Sequence, residues 1–578
     1  MTDVAANAGM ELSPVAPSRA SPINRLRGVP IYAWLLLIVV IPNILLIGIS
    51  FLKTSQGFLV MEPSLVNYNR LYSSNGFWVL LWRTLKLSLL GCLAGAIIAY
   101  PLAFYAARIM RRNKALLVVL IVLPLWISLL MRVFAWRLIL GQSGILNSFL
   151  MSSGVLTEPS EAFLYTSTSV ILVFAYISIP YIFLSALSAF EKIPHALIEA
   201  SQDMSASAWQ TFRHVVWPLS RRGLAIGVSL AFLVTVGDFV TPSMIGGIDG
   251  TTVGVVIASQ FGMANNWPYG AALAIVLIAC VGAIVSLIFW ACPTRGVFQG
   301  DEGAKPAPSS MTVNDRLVQI GGAIGAMLVV AFLYAPLILM AIFSFNASKL
   351  QAFPIQEFTF DWYRALASDQ SMLDAAQRSL IVAACVISIS VILGTAFALI
   401  LHYGKLRGGK FFEFALALPL ATPGVVLGIV MVLGTELVHI PSGLCRTVVG
   451  QSSFVMPVTM ILVLARLRQL DPSLIEASLD LGAGRLRSFV HVLLPLIRNA
   501  IVGGALLGLT LSVDDVMVTS FLTGSEQTLP IWVFSQMRFG FAPTVNALFT
   551  LLGVLCLALV LVSTSIASRQ RELAAQKK

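Results

Sequence analysis

Charge is scarce in this chain of 578 residues. Asp, Glu, Lys and Arg make up 11% of it against 58% hydrophobic residues, and the mean hydropathy is +0.88. Soluble globular domains carry about 25% charged residues, so water is excluded as the main solvent. Cysteine is also sparse. Cys92, Cys280, Cys292, Cys385, Cys445 and Cys556 lie scattered in or beside apolar runs. No two of them have CxxC spacing, which leaves no footing for a zinc site or a disulfide framework; they read as small apolar residues. No GxxxxGK[ST] occurs, and the nearest Gly-Lys, Gly409-Lys410, is followed by two phenylalanines. Without a phosphate cradle the chain does not bind ATP in P-loop fashion. Energy must come from a partner or an ion gradient, or not enter at all.

Long apolar runs, by contrast, dominate. Spans are expected near 30–52, 79–107, 115–137, 166–190, 223–245 and 269–292, then near 317–346, 377–402, 411–436, 451–467, 501–523 and 541–567. About 20 apolar residues cross the hydrocarbon as a helix. The sequence therefore predicts an all-α polytopic membrane protein of about twelve transmembrane helices. With the N-terminus placed inside, 26 of the 37 Lys and Arg fall in the tails and alternate loops that would be cytoplasmic, Arg108, Arg111, Arg112, Lys114, Lys405, Arg407, Lys410, Arg569 and Arg571 among them. That positive-inside bias puts both termini in the cytoplasm. It also explains the net charge of +11 as topology rather than as affinity for nucleic acid. The first apolar run follows Arg19, Arg25 and Arg27 and has no small-residue cleavage site after it, so it reads as a retained helix and not as a signal peptide.

The Pro-, Gly- and Ser-bearing stretch CPTRGVFQGDEGAKPAPSSMTVNDR (292–316) reads as a linker. The expected units are a tail (1–29), a first half of six spans (30–292), the linker (293–316), a second half of six spans (317–567) and a tail (568–578). The halves repeat. EASQDMSASAWQTFRHVVWPL (199–219) and EASLDLGAGRLRSFVHVLLPL (476–496) are identical at 10 of 21 positions, 277 residues apart. The register continues to Asp238/Asp515 and Gly247/Gly524, and NYNRL (67–71) echoes DWYRA (361–365). Six spans per half give the copies the same orientation, the parallel kind of repeat, in which two facing bundles can rock about a central path.

Each copy of the 21-residue stretch falls between spans four and five of its half, on the cytoplasmic side. Short helices are expected over 475–483 and 486–494, with Gly482 and Gly484 at the joint and Pro495 limiting continuation into the next span. Either copy alone fits an interfacial helix on lipid headgroups as well as a docking knob. Duplication at equivalent places favours docking to a partner that is itself two-fold.

The pattern EAxxDxGAxxxxxFxxVxLPL resembles the EAA loop of bacterial ABC importer permeases. LPLWISLLMRVFAWRLILGQSGILN (123–147), VGDFVTPSMIGG (236–247) and NNWPYGAALAI (265–275) resemble the first permease subunit of spermidine/putrescine importers. LPLATPGVVLGI, beginning at Leu418, LSVDDVMVTSFLTG (511–524), TLPIWVFSQMRFG (528–540) and PTVNAL (543–548) resemble the second. The resemblance implies a type I permease with the two subunits fused, residing in the bacterial inner membrane. It implies two copies of a cytoplasmic ABC ATPase, with ATP and Mg on those subunits and no cofactor in this chain, and a periplasmic or lipid-tethered substrate-binding protein. Glu199, Ala200, Asp203, Ser205, Phe212 and Pro218, and Glu476, Ala477, Asp480, Gly482, Phe489 and Pro495, become the ATPase-coupling residues. Ser205 departs from the family's glycine, which predicts a first grip differing in geometry or strength. The solute implied is a polyamine, with opines, aminophosphonates or ferric iron as alternatives inside the class. A six-plus-six secondary transporter is the rival outside it.

Asp238, Asp514 and Asp515 are acids in or beside apolar spans, where a charge is expensive and faces a cavity or a partner. With the aromatic faces of Trp126, Phe134, Trp136 and Phe239 they would suit a cationic amine on the central path. The alternative is that the acids cap backbone amides where span five breaks. Arg83 and Lys86 are expected to snorkel outward. Glu526 and Arg538 could face a binding protein or simply solvent.

Overall fold

A computed structural model describes residues 28–55, 58–110, 113–292, 315–348, 355, 357–404, 408–471, 473–538 and 543–555. Nearly all of the expected linker and tails lies outside the described residues, as do Arg111, Arg112, Lys405 and Arg407 and the end of the last expected span.

The first half runs α1 (Val29–Ser50), a hairpin of β1 (Lys53–Ser55) and β2 (Phe58–Val60), α2 (Val66–Ser73), α3 (Asn75–Arg108), α4 (Lys114–Trp126), α5 (Leu129–Leu140), α6 (Ser167–Glu191), α7 (His195–Asp203), α8 (Ala208–Val236) and α9 (Trp267–Ala291). The second runs α10 (Asp315–Phe343), α11 (Asp361–Ser368), α12 (Gln370–Tyr403), α13 (Gly409–Ala421), α14 (Gly424–Leu437), α15 (Leu444–Leu467), α16 (Ser473–Asp480), α17 (Leu486–Asp514), α18 (Leu529–Arg538) and α19 (Pro543–Leu555). Among the described residues ten helices are long and apolar enough to cross a membrane, or eleven if α13 and α14 count as one bent span.

The third span of each half is not the single helix expected. Ile127 and Ser128 are extended (ψ 134° and 135°) between α4 and α5, and Thr422 and Pro423 are extended (ψ 132° and 131°) between α13 and α14. The second break turns the chain by 108°. Thr422 precedes a proline, whose ring disfavours helical geometry in the residue before it. Each break leaves a fresh helix N-terminus, at Leu129 and at Gly424, inside the bundle.

Pro495 does not limit its helix as expected, and Pro218 behaves in the same way. Each sits directly after a five-residue π segment, Phe212–Val216 or Phe489–Leu493, in which the Trp217 and Leu494 amides reach back five residues to Phe212 and Phe489. The wider coil makes room for a ring that would clash in a regular α turn. The expected second short helix, 486–494, is therefore the first part of α17. The repeated loop and the span after it form one rod in each half.

Close approach through glycine packs the cores. A Cβ on Gly227 of α8 would meet Ile182 Cα at 2.8 Å, and one on the equivalent Gly504 of α17 would meet Thr459 at 2.9 Å. Only glycine lets the backbones touch there. The first spans are exchanged between halves. Along α1, Tyr32 and Trp34 stack edge-on to Phe412 and Phe397, and Pro42 fills the space over Gly434. Along α10, the carbonyl of Leu333 accepts from Tyr176 at 2.9 Å, and Tyr334 donates to the Leu120 carbonyl at 3.0 Å. Each half is thus gripped by the other's leading helix.

Candidate functional site

The two knobs have one geometry. In each, a short helix (α7 or α16) turns sharply into the rod (α8 or α17). The turn residue is left-handed in both: φ is +82° at Gly482 and +60° at Ser205. The same pair of backbone bonds closes the turn. Gly482 N–H donates to Leu479 O and Ala483 N–H to Ser478 O, while Ser205 N–H donates to Gln202 O and Ala206 N–H to Ser201 O. These are the C-cap bonds of a left-handed terminator. A hydroxyl pair then ties helix to rod: Ser201 Oγ to Thr211 Oγ1 at 2.9 Å, and Ser478 Oγ to Ser488 Oγ at 2.7 Å. The expected difference in geometry at Ser205 is absent from the backbone; serine simply adopts the glycine conformation.

Glu199, Ala200, Asp203, Glu476, Ala477, Asp480, Pro218 and Pro495 are exposed, whereas Phe212 and Phe489 are half-buried under the turn. The tips are apolar. Met204 is 84% and Leu481 88% exposed, and Leu197/Leu474 and Trp209/Leu486 repeat the theme at matching positions. Apolar side chains thus stand exposed at the apex of an otherwise polar loop.

The base of the first knob is anchored by Arg108 at the end of α3. Its Nη2 donates to the carbonyls of Phe190 and Ile193, and its Nη1 lies 3.1 Å from His195 Nε2 at the start of α7. Burial and the neighbouring Arg108 cation hold the His195 pKa below 6.5, with Glu199 opposing. The second knob lacks this histidine; its base is held by Arg468, which grips Glu413 through two nitrogens at 2.6 and 3.1 Å. At its start the carboxylate of Asp471, which accepts from Ser473 N–H at 3.0 Å, has its pKa lowered chiefly by that bond.

The seam between the halves carries the buried charges. Asp238 Oδ1 accepts from the amides of Val240 (2.8 Å) and Thr241 (3.1 Å), and Oδ2 accepts from the Thr241 hydroxyl. Asp515 repeats this with the amides of Val518 (3.3 Å) and Thr519 (2.9 Å) and the Thr519 hydroxyl (2.6 Å). Both acids thus serve the turn that follows their own helix. Asp514 does something different. Its two oxygens accept from Leu129 N–H, at 3.1 and 3.0 Å, at the N-terminus of α5 in the opposite half. Arg132, one turn into α5 and 5% exposed, lies within electrostatic reach of Asp238 and Asp514.

Of the expected aromatics, Trp136 is packed with Tyr176 and Phe332, ring centroids 5.8 and 5.3 Å away. Phe239 meets Phe521 and Phe534 across the seam at 6.1 and 6.2 Å. Phe134 is fully buried, and Trp126 is 39% exposed.

The profile of the binding-protein-dependent transport system inner membrane component family matches residues 99–291 and again 390–571, one copy in each half. The chain belongs to this family. As such it is an inner-membrane permease component of an ABC importer, written twice in one polypeptide. Spermidine/putrescine transport system permease protein PotB of Escherichia coli K12 is 35% identical over 263 residues, covering 45% of this chain and 94% of PotB. Putrescine transport system permease protein PotI of the same strain is 38% identical over 229 residues, 38% of this chain and 81% of PotI. Among solved structures, a bacterial ABC transporter involved in the import of the acidic polysaccharide alginate matches at 18% identity and a TM-score of 0.39, over 46% of this chain and 93% of that one.

On the side of the permease away from the knobs, Glu526 accepts from Leu444 N–H at 2.8 Å and so caps α15, while Arg446 pairs with Glu436 at 2.6 Å. Arg83 donates to the carbonyl of the exposed Ile248 at 2.8 Å, and Lys86 is exposed. The side chain of Arg538 lies outside the described residues. Sequence reasoning singled out NYNRL and DWYRA without a role. Each places a tyrosine, Tyr68 or Tyr363, against a serine at the end of its half's first helix, Ser50 or Ser344, at 2.7 and 2.6 Å. Arg132 and the reach of Asp514 into α5 were missed. The only signal for either was a charge inside an apolar span.

Proposed function

We propose that this chain supplies the whole membrane pathway of an ATP-driven polyamine importer, for spermidine, putrescine or a close relative. The observation that carries the solute class is the naming of PotB and PotI, at 35% and 38% identity, for spermidine and putrescine.

The working cycle follows from the two rods. Two copies of a cytoplasmic ATPase grip the two knobs by their apolar tips. Because α8 and α17 continue from each knob into the membrane without a stop, closure of the ATPase pair on ATP draws the knobs together and rotates the halves against one another. The central path then exchanges its inward for its outward opening. A periplasmic or lipid-tethered binding protein delivers solute to the opposite face, and both termini lie in the cytoplasm, as the positive-inside bias implies. No covalent chemistry is assigned to this chain.

The test is reconstitution of the chain with its ATPase and binding protein in vesicles. Binding-protein-dependent ATP hydrolysis and uptake should be stimulated by spermidine or putrescine. Stimulation instead by an aminophosphonate, an opine or ferric iron would overturn the polyamine assignment. Uptake driven by an ion gradient without ATP would overturn the importer cycle.

A further inference from the structure

The seam is closed differently on its two sides. With the offset of 277 that aligns the repeats, Asp514 falls on Gly237. Each stands at the end of its half's rod, and each faces the interior N-terminus created by the broken third span of the other half. On one side Asp514 reaches the start of α5, both oxygens on Leu129 N–H at 3.1 and 3.0 Å. On the other side Gly237 lies against the start of α14 so closely that a Cβ would stand 2.8 Å from Pro423 Cα and 2.9 Å from Gly424 N. One contact is a charge-assisted hydrogen bond to a helix N-terminus, favoured both by the amide and by the helix dipole. The other is backbone against backbone.

We propose that these two contacts are the clasp that holds the halves together at the level of the seam, with Asp514 the positioning residue and Gly237 the fitted surface opposite it. The proposal rests on the alternating-access cycle above. Three observations support it. Asp514, unlike its neighbour Asp515, spends its carboxylate on the other half and not on its own turn. The α5 N-terminus has no capping side chain within its own half, Ser128 making no such bond. The rings of Phe239, Phe521 and Phe534 meet across the same seam, so parting the halves here also opens their contact. Parting costs the Asp514 carboxylate its partner, which biases the assembly toward the closed seam until ATP draws the knobs together.

Two variants weaken the clasp by unrelated means. Asp514→Asn keeps the shape and removes the charge, whereas Gly237→Ala wedges the opposite side with one methyl group. Spin labels at Arg222→Cys and Asn499→Cys, equivalent exposed positions on the rods below the knobs, in a background without native cysteines, report how far apart the knobs are held in the full complex with its ATPase. Loss of the charge-assisted bond predicts substrate-free ATP hydrolysis raised about 10-fold in Asp514→Asn, and the wedge in Gly237→Ala predicts a rise of more than about twofold. The nucleotide-free knob distances should also shift toward those of the ATP-bound unmodified complex. Substrate-free hydrolysis within about twofold of the unmodified complex, with unshifted distances in both variants, would overturn the clasp. If ATP leaves the knob distance of the unmodified complex unchanged, the alternating-access cycle fails. The clasp is then judged on the nucleotide-free distances of the two variants alone: a shift or broadening supports it, and none overturns it.

Discussion

The turn of the second knob offers a measurement whose size follows from the backbone. Gly482 has φ +82°, and a Cβ built on it meets nothing within 4 Å. Gly482→Ala therefore has no clash to relieve, and its whole cost is the left-handed conformation itself, about 1 kcal/mol for an L-residue. Ser205 already bears that cost at φ +60°, so Ser205→Gly should return a similar amount, less the few tenths lost to a more flexible unfolded chain. These costs are local, and amide exchange reads them locally. The Gly482 and Ala483 amides are closed by Leu479 O and Ser478 O. A loss of about 1 kcal/mol in local opening should speed exchange over residues 473–493 about 5-fold in Gly482→Ala, with protection gained over 196–216 in Ser205→Gly. ATPase binding should move in the same directions. Equal exchange in Gly482→Ala and the unmodified chain would refute the reasoning, because the turn would then have left the left-handed region without consequence.

Asp515→Asn should lower stability by about 2–3 kcal/mol, since its two backbone donors go to different oxygens and an amide group leaves one of them unmet. Asp238→Asn, where Oδ1 alone takes both amides, should cost only about 1 kcal/mol; the check is yield and thermal unfolding, with the KM for solute unchanged in whatever protein folds. Tyr176→Phe removes a hydrogen bond between the halves and should cost about 1 kcal/mol in a denaturant titration. The first knob should respond to pH and the second should not. With the pKa of His195 held below 6.5 in the folded knob, the opened knob binds the proton first as pH falls, so stability is full above about 6.5 and declines below it. Amide exchange over 195–216 should accelerate between pH 7.5 and 5.5 relative to 473–493, and His195→Gln should abolish the difference.

The halves, the knobs and most spans were legible because each is written in a period: apolar runs for spans, and a 277-residue echo for the repeat. What was not legible depends on single residues acting across the fold. Pro495 signals a helix stop by its chemistry, and only the π turn at Phe489–Leu493 shows how the stop is evaded. Asp238 and Asp515 looked like a matched pair of path acids because symmetry matched them. In the fold they share a turn, each carboxylate closing the backbone after it, as far as Thr241 three residues on in the first half and Thr519 four residues on in the second. Asp514 has no acidic counterpart for symmetry to point at, and its partner amide lies 385 residues away. Periodicity finds what a half repeats, and contacts unique to the seam leave no period.

That contrast between repeated and unrepeated features has a physical logic. A pair of identical ATPases, as proposed here, presents the same cleft twice, so any difference between the knobs is a difference in fit to one shape. The backbone obeys this: Ser205 is held at positive φ, against its own preference, to reproduce the turn that Gly482 makes freely. At the seam the requirement is reversed. The closing of the seam behind a solute imposes no two-fold symmetry on the groups that make it. One side bears Asp514 against an amide, the other Gly237 against Pro423. Fusion of the two halves in one chain fixes their pairing, so each can keep its own half of an unequal clasp. Exchange of the residues at 514 and 237 by the double substitution Asp514→Gly with Gly237→Asp tests this directly. The aspartate at 237 has no room beside Gly424, where even a Cβ stands 2.9 Å from the amide nitrogen. The swapped chain should therefore fail to close its seam even though its charge and composition are unchanged.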